Sequence, residues 1–266
     1  MDIGVREAAL RRGQREAPAV EVADLSVSFG SREVLHGVSA TFASNSITAL
    51  IGPTGCGKTT LLRTVNRLND MVPGAAVRGR IEIGGRDVYR DVRDVRELRR
   101  SVGMLFQRPN PFPQSIFENV AIGLRAHRIV AGREVRSEVE ASLRQVGLWD
   151  AVKDKLGESP FGLSGGQQQL LCLARTLAVR PDVILLDEPT SSLDPISTRR
   201  VEGLLTGLRD HITIVIVTHN LAQAARISDN AVFLYSGRVV EASETTTLFK
   251  NPRNELTDEY VNGRMG

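Results

Sequence analysis

Residues 52–59 read Gly-Pro-Thr-Gly-Cys-Gly-Lys-Thr, a pattern typical of loops that bind phosphate groups. An apolar segment that predicts a buried strand, Ile47 to Ile51, precedes this loop, and a predicted helix, Lys58 to Leu68, follows it. The glycines allow backbone N–H groups to turn toward phosphate oxygens, and the N-terminus of the helix adds positive charge. Lys58 can reach the β- and γ-phosphates of a nucleotide, and the Thr59 hydroxyl can bind Mg²⁺. We therefore predict an α/β nucleotide-binding domain.

Two carboxylates follow a second apolar segment. Val183 to Leu186 predicts a buried strand and places Asp187 at its carboxyl end, where ligands bind in open α/β sheets. Asp187 can hold the water shell of a metal ion, and the neighbouring Glu188 can polarise an attacking water as a general base. Because a phosphate-binding loop lies upstream, we favour a catalytic pair over an ordinary acidic turn.

A third segment also contains adjacent glycines. Leu163-Ser164-Gly165-Gly166-Gln167 opens a predicted helix that extends to Val179. Ser164 can cap this helix, and the glycines expose backbone N–H groups at its positive end. Taken alone, the segment fits an ordinary helix start and a second anion-binding site equally well.

Two regions of alternating strand and helix patterns flank a mostly helical region. Strand patterns run from Val20 to Phe29 with a slip near Asp24, and strands and helices alternate again after residue 183. Between these regions, three prolines exclude a helix or a sheet interior over residues 108–113, and helical patterns follow. We expect a doubly wound core with an inserted helical subdomain.

The composition excludes several classes of protein. The chain has 266 residues, of which 41% are hydrophobic and 24% charged, so it can bury a core. Its 34 lysines and arginines exceed its 31 acidic residues by three, too small an excess to require a nucleic-acid partner. Two cysteines, Cys56 and Cys172, are too few for a disulfide framework, and no apolar run approaches the ~18 residues of a membrane span. These features favour a cytosolic protein, with residues 1–18 as a tail.

In their order along the chain, the three segments resemble the Walker A, signature and Walker B motifs of the ATP-binding subunits of ABC transporters. The resemblance implies a P-loop NTPase (RecA-like) core of α/β class, with an N-terminal antiparallel β subdomain and an inserted α-helical subdomain. It implies a single ABC ATPase domain over residues 19–266. Residues 19–107 and 171–266 would form the nucleotide-binding core, and residues 108–170 the helical subdomain with the signature motif.

The resemblance also implies roles for residues outside these motifs. Gln107 resembles the Q-loop glutamine, and His219 resembles the switch histidine that contacts the γ-phosphate. Asp194 belongs to a segment similar to the D-loop. Phe29 resembles the aromatic residue that stacks on adenine, where tyrosine is more usual.

The implied site therefore comprises three groups of residues. The catalytic group is Glu188, His219, Lys58 and Gln107. The Mg²⁺ ligands are Thr59, Gln107 and Asp187. The ATP-binding group is Phe29, Gly52, Pro53, Thr54, Gly55, Cys56, Gly57, Lys58, Thr59, Thr60, Ser164, Gly165, Gly166, Gln167 and Asp194.

The proline-rich segment narrows the resemblance. Residues 104–113, which read Met-Leu-Phe-Gln-Arg-Pro-Asn-Pro-Phe-Pro, resemble the ATPase of the phosphate-specific import system, as do residues 115–120. The resemblance implies ATP hydrolysis coupled to import of inorganic phosphate through a membrane permease. The implied partners are a second copy in a head-to-tail homodimer, two transmembrane permease subunits and, through them, a periplasmic or extracellular phosphate-binding protein. The implied location is peripheral, at the cytoplasmic face of the membrane, with no direct contact to nucleic acid.

One residue departs from the family pattern, and other functions stay open. Leu170 replaces the arginine usual after the signature motif, so either the helix is less firmly oriented, with a modest loss of ATPase rate, or Leu170 simply packs. The alternatives within the family are an ATPase for another imported solute and a non-transport ATPase that acts on nucleic acid or ribosomes. A small-molecule P-loop kinase or a catalytically weak regulatory subunit are alternatives from other classes.

Overall fold

Two β-sheets carry the helices of this molecule. The computed structural model describes residues 18–264, so the expected tail lies outside the described part except for Pro18, which begins the first strand. The strands are β1 (Pro18–Phe29), β2 (Arg32–Ala43), β3 (Ile47–Ile51), β4 (Ala75–Ile83), β5 (Arg86–Asp87), β6 (Val102–Leu105), β7 (Val183–Asp187), β8 (Thr213–Val217), β9 (Asn230–Tyr235) and β10 (Arg238–Glu244). The helices are α1 (Lys58–Val65), α2 (Val95–Ser101), α3 (Ile116–Ala126), α4 (Glu134–Gln145), α5 (Trp149–Val152), α6 (Gly165–Ala178), α7 (Pro195–Leu208), α8 (Leu221–Ile227), α9 (Thr245–Lys250) and α10 (Glu255–Val261). Two short 3₁₀ segments lie at Asn69–Met71 and Pro160–Gly162.

The first sheet is antiparallel and has the order β2-β1-β4-β5. Its strand β1 shifts register between Val22 and Leu25, where Asp24 has a positive φ of 48°. The slip predicted near Asp24 is therefore a β-bulge, in which an extra residue breaks the alternation while Val22 and Leu25 both stay buried. The expected N-terminal antiparallel β subdomain is confirmed.

The second sheet has the order β10-β9-β3-β8-β7-β6, and its pairs are parallel except for the β9–β10 hairpin. Alternate residues of β7 face two different cores: Ile184 and Leu186 belong to a larger cluster, and Val183 and Leu185 to a smaller one. Because both faces are covered, β3, β7 and β8 are continuous apolar runs. The topology sets the carboxyl ends of β3, β8, β7 and β6 side by side along one edge.

The helical insert packs on one face of this second sheet. Helices α3, α4 and α6 contact one another, and their buried residues Val120, Val139 and Leu171 belong to the same cluster as Ile184. The expected helical subdomain is therefore present, and it shares its core with the α/β sheet. The boundary proposed between residues 170 and 171 falls inside α6.

Several elements differ from the sequence prediction. The helix expected over Lys58–Leu68 ends at Val65, because Arg67 has a positive φ of 58° that does not continue a right-handed helix. The short helices α2, α9 and α10, of seven, six and seven residues, were not predicted, because segments of this length contain few periodic apolar positions. Among residues 18–264, no helix is both long enough and apolar enough to cross a membrane.

Candidate nucleotide-binding site

The phosphate-binding loop connects β3 to α1 at the edge where the parallel strands end. The Lys58 ammonium is buried within this loop and donates hydrogen bonds to the carbonyl oxygens of Gly52 and Pro53, both at 2.7 Å. Gly52 has a φ of 148°, and a Cβ at this position would lie 2.0 Å from the carbonyl oxygen of Leu234. The loop conformation therefore requires glycine at position 52. The loop also holds the Lys58 ammonium group on its inner side.

Cys56 lies inside the same loop. Its Sγ is buried, 3.8 Å from Lys58 Nζ. Burial raises the pKa of the thiol above its ordinary value, although the nearby Lys58 charge opposes this shift. The raised pKa favours the neutral thiol, whereas only a thiolate would act as a nucleophile. We therefore interpret Cys56 as a residue that packs the loop.

Thr59 and Asp187 form the most direct link between the Walker A and Walker B segments. The Thr59 hydroxyl lies 3.1 and 3.0 Å from the two carboxylate oxygens of Asp187, which is buried at the end of β7. Burial raises the pKa of the Asp187 carboxyl, and the Thr59 hydrogen bond and the Arg63 charge oppose this shift. The polar side-chain atoms of Thr59 and Asp187 are all oxygens, and oxygen ligands suit a hard cation such as Mg²⁺.

The expected metal site does not depend on a cluster of protein ligands. Across residues 18–264, no group of three or more His, Cys, Asp and Glu side chains is arranged to hold a metal ion. Mg²⁺ commonly binds through one or two protein oxygens together with substrate phosphates and water. Thr59 and Asp187 fit that mode of binding.

Gln107 and His219, which follow two other strands, both contact Glu188. Its Oε2 atom accepts a hydrogen bond from Gln107 Nε2 at 2.8 Å and lies 3.0 Å from His219 Nδ1. Gln107 follows β6, Glu188 follows β7 and His219 follows β8, so the parallel sheet brings together residues far apart in sequence. Three of the four residues predicted to be catalytic therefore share one carboxylate oxygen.

Glu188 itself has an unusual backbone. Its φ is 47°, a left-handed conformation that costs a non-glycine residue about 1–3 kcal/mol. The Glu188 N–H donates to the carbonyl oxygen of Val217 at 3.0 Å, and its carbonyl oxygen accepts from the Ser191 hydroxyl at 3.1 Å. These bonds hold the strained residue, so that its carboxylate faces Gln107 and His219.

The signature segment forms a capping box at the start of α6. The Ser164 hydroxyl accepts a hydrogen bond from Gln167 N at 3.3 Å, and Gln167 Oε1 accepts from Ser164 N at 3.1 Å. The helix-cap interpretation is therefore realised, and it leaves Ser164 exposed. Within residues 18–264, no hydrogen bond joins residues 163–167 to the phosphate-binding loop of the same chain.

Asp194 and Phe29 are the two other predicted ATP-binding residues outside the loop. Asp194 is exposed and caps α7, accepting hydrogen bonds from Ile196 N at 2.9 Å and Ser197 N at 3.0 Å. Hydrogen bonds from Ser197 lower the pKa of the Asp194 carboxyl. Phe29 is partly buried at the end of β1, where it packs against the smaller core cluster.

Some residues that support the site were not found from the sequence. Gln169 is buried on α6 and donates through Nε2 to the carbonyl oxygen of Phe106 at 2.9 Å, next to Gln107. Arg175, also on α6, donates to Asn110 and lies over the ring of Phe112 at 4.3 Å. Both side chains fasten the proline-rich segment to the signature helix. A polar residue in a helix gives no indication of such a distant partner.

Comparison with known proteins decides the family. The family model described as ABC transporter matches residues 35–191, which include the Walker A, signature and Walker B segments. The chain belongs to the ABC transporter family. The resemblance inferred from the three motifs is therefore confirmed, and so are the ATPase activity and the ATP-binding role that the motifs imply.

Relatives within the ABC transporter family match over nearly the whole chain. Phosphate import ATP-binding protein PstB 2 of Mycobacterium tuberculosis is 56% identical over 250 residues, which cover 94% of this chain and 90% of the relative. Phosphate import ATP-binding protein PstB of Shewanella denitrificans is 51% identical over 248 residues, which cover 93% of this chain and 91% of the relative. The narrower resemblance to phosphate-import ATPases is therefore confirmed.

A solved ABC transporter supports the fold. The structure of a bacterial Atm1-family ABC exporter with ATP bound has a TM-score of 0.79 and 28% sequence identity to this chain. The match covers 95% of this chain and 43% of the exporter chain, so the chain spans less than half the length of that exporter. The predicted fold class is confirmed.

Proposed function

We propose that this protein is the ATP-hydrolysing subunit that powers import of inorganic phosphate through a membrane permease. The observation that carries this proposal is the identity of 50–57% to phosphate import ATP-binding proteins over most of the chain. Lys58, Asp187 and Glu188 lie at one edge of the sheet. This arrangement supports the ATPase part of the proposal, because it brings together groups that can bind phosphate, bind a metal ion and activate water.

Several residues of one chain would bind ATP and its metal ion. Lys58 would exchange its bonds to backbone carbonyls for bonds to the β- and γ-phosphates. Thr59, Asp187 and Gln107 would hold Mg²⁺, which when bound neutralises charge on the phosphates. Phe29 would stack on the adenine ring.

Glu188 is the proposed general base. Its carboxylate accepts a proton from the attacking water, whose oxygen forms a bond to the γ-phosphorus while the bond to the oxygen of the ADP leaving group breaks. His219 and Lys58 stabilise the charge on the transferring phosphoryl group. The hydrogen bond from Gln107 fixes the Glu188 carboxylate in the orientation that this step needs.

A second copy of the chain would complete each ATP site. Ser164 and Asp194 are exposed, and neither is hydrogen-bonded to the phosphate-binding loop of its own chain. In a head-to-tail homodimer, the signature segment of one copy would face the loop of the other, with its helix N-terminus toward the γ-phosphate. Ile196, an exposed apolar residue next to the capped start of α7, would be covered in that dimer.

The remaining partners are two transmembrane permease subunits, through which a periplasmic or extracellular phosphate-binding protein delivers phosphate. The subunit would therefore lie at the cytoplasmic face of the membrane as a peripheral protein. The proline-rich segment held by Gln169 and Arg175 would pass closure of the dimer to the permease.

Phosphate uptake in cells that lack this protein tests the proposal. We expect uptake to fall on deletion and to return with the wild-type gene but not with Lys58→Ala, since that variant loses the loop cation. Lys153→Ala is a matched control and should restore uptake, because Lys153 is a surface residue that forms an exposed ion pair with Asp150. Unchanged phosphate uptake after deletion, with loss of uptake of another solute, would refute the phosphate assignment and leave the ATPase assignment in place.

A further inference from the structure

A buried glutamine connects three segments around the site. Gln223 lies in the first turn of α8 and is 1% exposed. Its Oε1 accepts a hydrogen bond from the Thr218 hydroxyl at 2.9 Å. Its Nε2 donates to Thr190 Oγ1 and to Glu202 Oε1, both at 3.0 Å. One amide therefore bonds to residues that follow β7, that follow β8 and that lie on α7.

Glu202 anchors this arrangement. It is 5% exposed, and its carboxylate accepts hydrogen bonds from Arg226 Nε at 3.0 Å and Arg226 Nη2 at 2.7 Å. Burial opposes ionisation of Glu202, but the hydrogen bonds from Arg226 and Gln223 outweigh it and leave the pKa of the carboxyl below its ordinary value. Glu202 is thus a fixed, charged acceptor that orients the Gln223 amide.

The bonded residues adjoin functional positions on two loops. Thr218 directly precedes His219, and Asn220, which follows it, donates from its backbone N–H to Thr218 Oγ1 at 3.0 Å. Asn220 Oδ1 in turn accepts from Gln223 N at 2.9 Å. Gln223 therefore holds the chain on both sides of His219.

On the second loop, Thr190 lies between Glu188 and Asp194. Glu202 lies on α7, the helix that Asp194 caps. Thr190, Thr218 and Arg226 line a cleft of about 400 Å³ together with Glu188 and His219. The network therefore underlies the surface that presents both loops.

We propose that Gln223 is a positioning residue that fixes His219 relative to the segment from Thr190 to Asp194. This inference rests on the proposed roles of His219 and Asp194. Neither of the two loops can move alone without breaking a hydrogen bond of the Gln223 amide, and a buried polar group left without its partner is unfavourable. Placement of the γ-phosphate contact in one chain is thereby tied to placement of the loop that faces the second copy.

Two single variants and their combination test the inference in the full-length protein. Gln223→Met keeps the length of the side chain and removes its three hydrogen bonds, while Thr190→Val removes only one of the two acceptors of Nε2 and leaves Glu202 in place. We expect the kcat of ATP hydrolysis to fall about tenfold in each, since small misplacements of reacting groups have large effects. The KM for ATP should change by less than about twofold, because the loop around Lys58 is untouched. The double variant should be no slower than Gln223→Met alone, since both changes remove the same hydrogen bond between Gln223 and Thr190.

Thr245→Val is the matched control for a purely structural effect. Thr245 is buried on α9, and its hydroxyl bonds at 2.8 Å to the hydroxyl of Ser228, which lies at the opposite end of α8 from Gln223. It should lower the midpoint of urea unfolding about as much as Thr190→Val and leave kcat unchanged. If Thr190→Val and Gln223→Met behave like this control, or if their kcat losses multiply in the double variant, the inference is wrong.

His219→Ala separates this inference from the proposed site. If His219→Ala keeps full turnover, the role of His219 is wrong and the inference falls with it. If His219→Ala loses turnover while Gln223→Met does not, the inference alone is refuted.

Discussion

The Thr59 hydroxyl on α1 lies within hydrogen-bond distance of both carboxylate oxygens of Asp187 on β7, at 3.1 and 3.0 Å. These two residues are 128 positions apart in the sequence. The contact fixes the first turn of α1 against the end of a buried strand. It also places a hydroxyl and a carboxylate where a single cation can bind to both.

Thr59→Val tests this pair as a metal site. Valine keeps the shape of threonine but lacks the hydroxyl, so the Mg²⁺ concentration for half-maximal ATP hydrolysis should rise by roughly tenfold or more. Thr59→Ser keeps the hydroxyl and should stay near the wild-type value. Chelation of Mg²⁺ should stop hydrolysis by all three proteins. Equal Mg²⁺ requirements in the valine and serine variants would contradict the assignment.

Asp187→Asn should separate stability from activity. The folded protein holds the Asp187 proton more tightly than the unfolded chain, because burial raises the pKa of this carboxyl from its ordinary 3.8. Ionisation therefore opposes folding, with no effect at pH values below 3.8 and the full effect above the raised pKa. We expect Asp187→Asn to raise the free energy of unfolding at pH 7, measured in urea, and to abolish ATP hydrolysis.

Asp194 supplies the control of opposite sign. Hydrogen bonds from Ser197 lower the pKa of Asp194, so its stabilising contribution is full above pH 3.8 and disappears as the pH falls through the lowered value. Asp194→Asn should therefore lower stability at pH 7. An Asp187→Asn protein less stable than wild type at pH 7 would contradict the expected sign.

Glu188→Gln should bind ATP and hydrolyse it very slowly. Glutamine keeps the side-chain shape between Gln107 and His219 but cannot take a proton from water, and loss of a general base slows turnover by about 10²- to 10⁴-fold. Single-turnover kinetics and nucleotide-binding titration distinguish chemistry from binding. Glu140→Gln, at a surface ion pair with Arg144, is the control and should keep normal turnover. Rapid steady-state turnover by Glu188→Gln would remove Glu188 from the role of base.

Gly52→Ala should destabilise the protein more than Gly55→Ala. Both glycines have positive φ, but a Cβ at Gly52 would meet the Leu234 carbonyl oxygen at 2.0 Å, whereas one at Gly55 has no atom within 4 Å. The additional loss at Gly52 should be about 1–3 kcal/mol, the range for overpacking. Urea unfolding without nucleotide measures the difference, and equal losses would show that the loop can relax around the added methyl group.

Leu170→Ala tests the role of the residue that departs from the family pattern. Leu170 is 6% exposed and belongs to the larger core cluster, which favours packing over a defect in helix orientation. Its truncation should reduce the free energy of unfolding by about 2–5 kcal/mol. Leu256→Ala, at a site 38% exposed, should change it by only about 0.5 kcal/mol. A faster ATPase in Leu170→Arg would instead support the hypothesis of a poorly oriented helix.

Local patterns account for most of the fold that was predictable from the sequence. The apolar run Val183–Leu186 and the loop over residues 52–59 identified two strand ends, and the disturbed alternation near Asp24 marked a bulge. Short helices such as α9 and α10 were not predictable, since their stability comes from packing rather than from a periodic pattern. The stacking of Tyr260 on Phe233 at 4.8 Å, which docks α10, depends on that packing.

The site was predictable as far as its motifs extend. Lys58, Asp187 and Glu188 stand in segments whose local spacing carries their chemistry. The contacts of Gln223 with Thr190 and Glu202 could not be predicted from local spacing, because they join residues 33 and 21 positions apart through the tertiary structure. Burial of a polar side chain, which is the physical mark of such a network, is visible only in three dimensions.

The order of the parallel strands has a further consequence. Adjacent strands lie about 4.8 Å apart, so the ends of β3, β8, β7 and β6 form a row of roughly 14 Å whose intervals are set by backbone hydrogen bonds. The loop that contains Lys58 follows β3, and His219, Glu188 and Gln107 follow β8, β7 and β6. The strand order therefore sets the intervals between these four residues. Residues 116–152, which contain α3, α4 and α5 in the connection from β6 to β7, do not set these intervals. A change in the length of this part of the helical insert would therefore leave the spacing of the proposed hydrolytic residues unchanged.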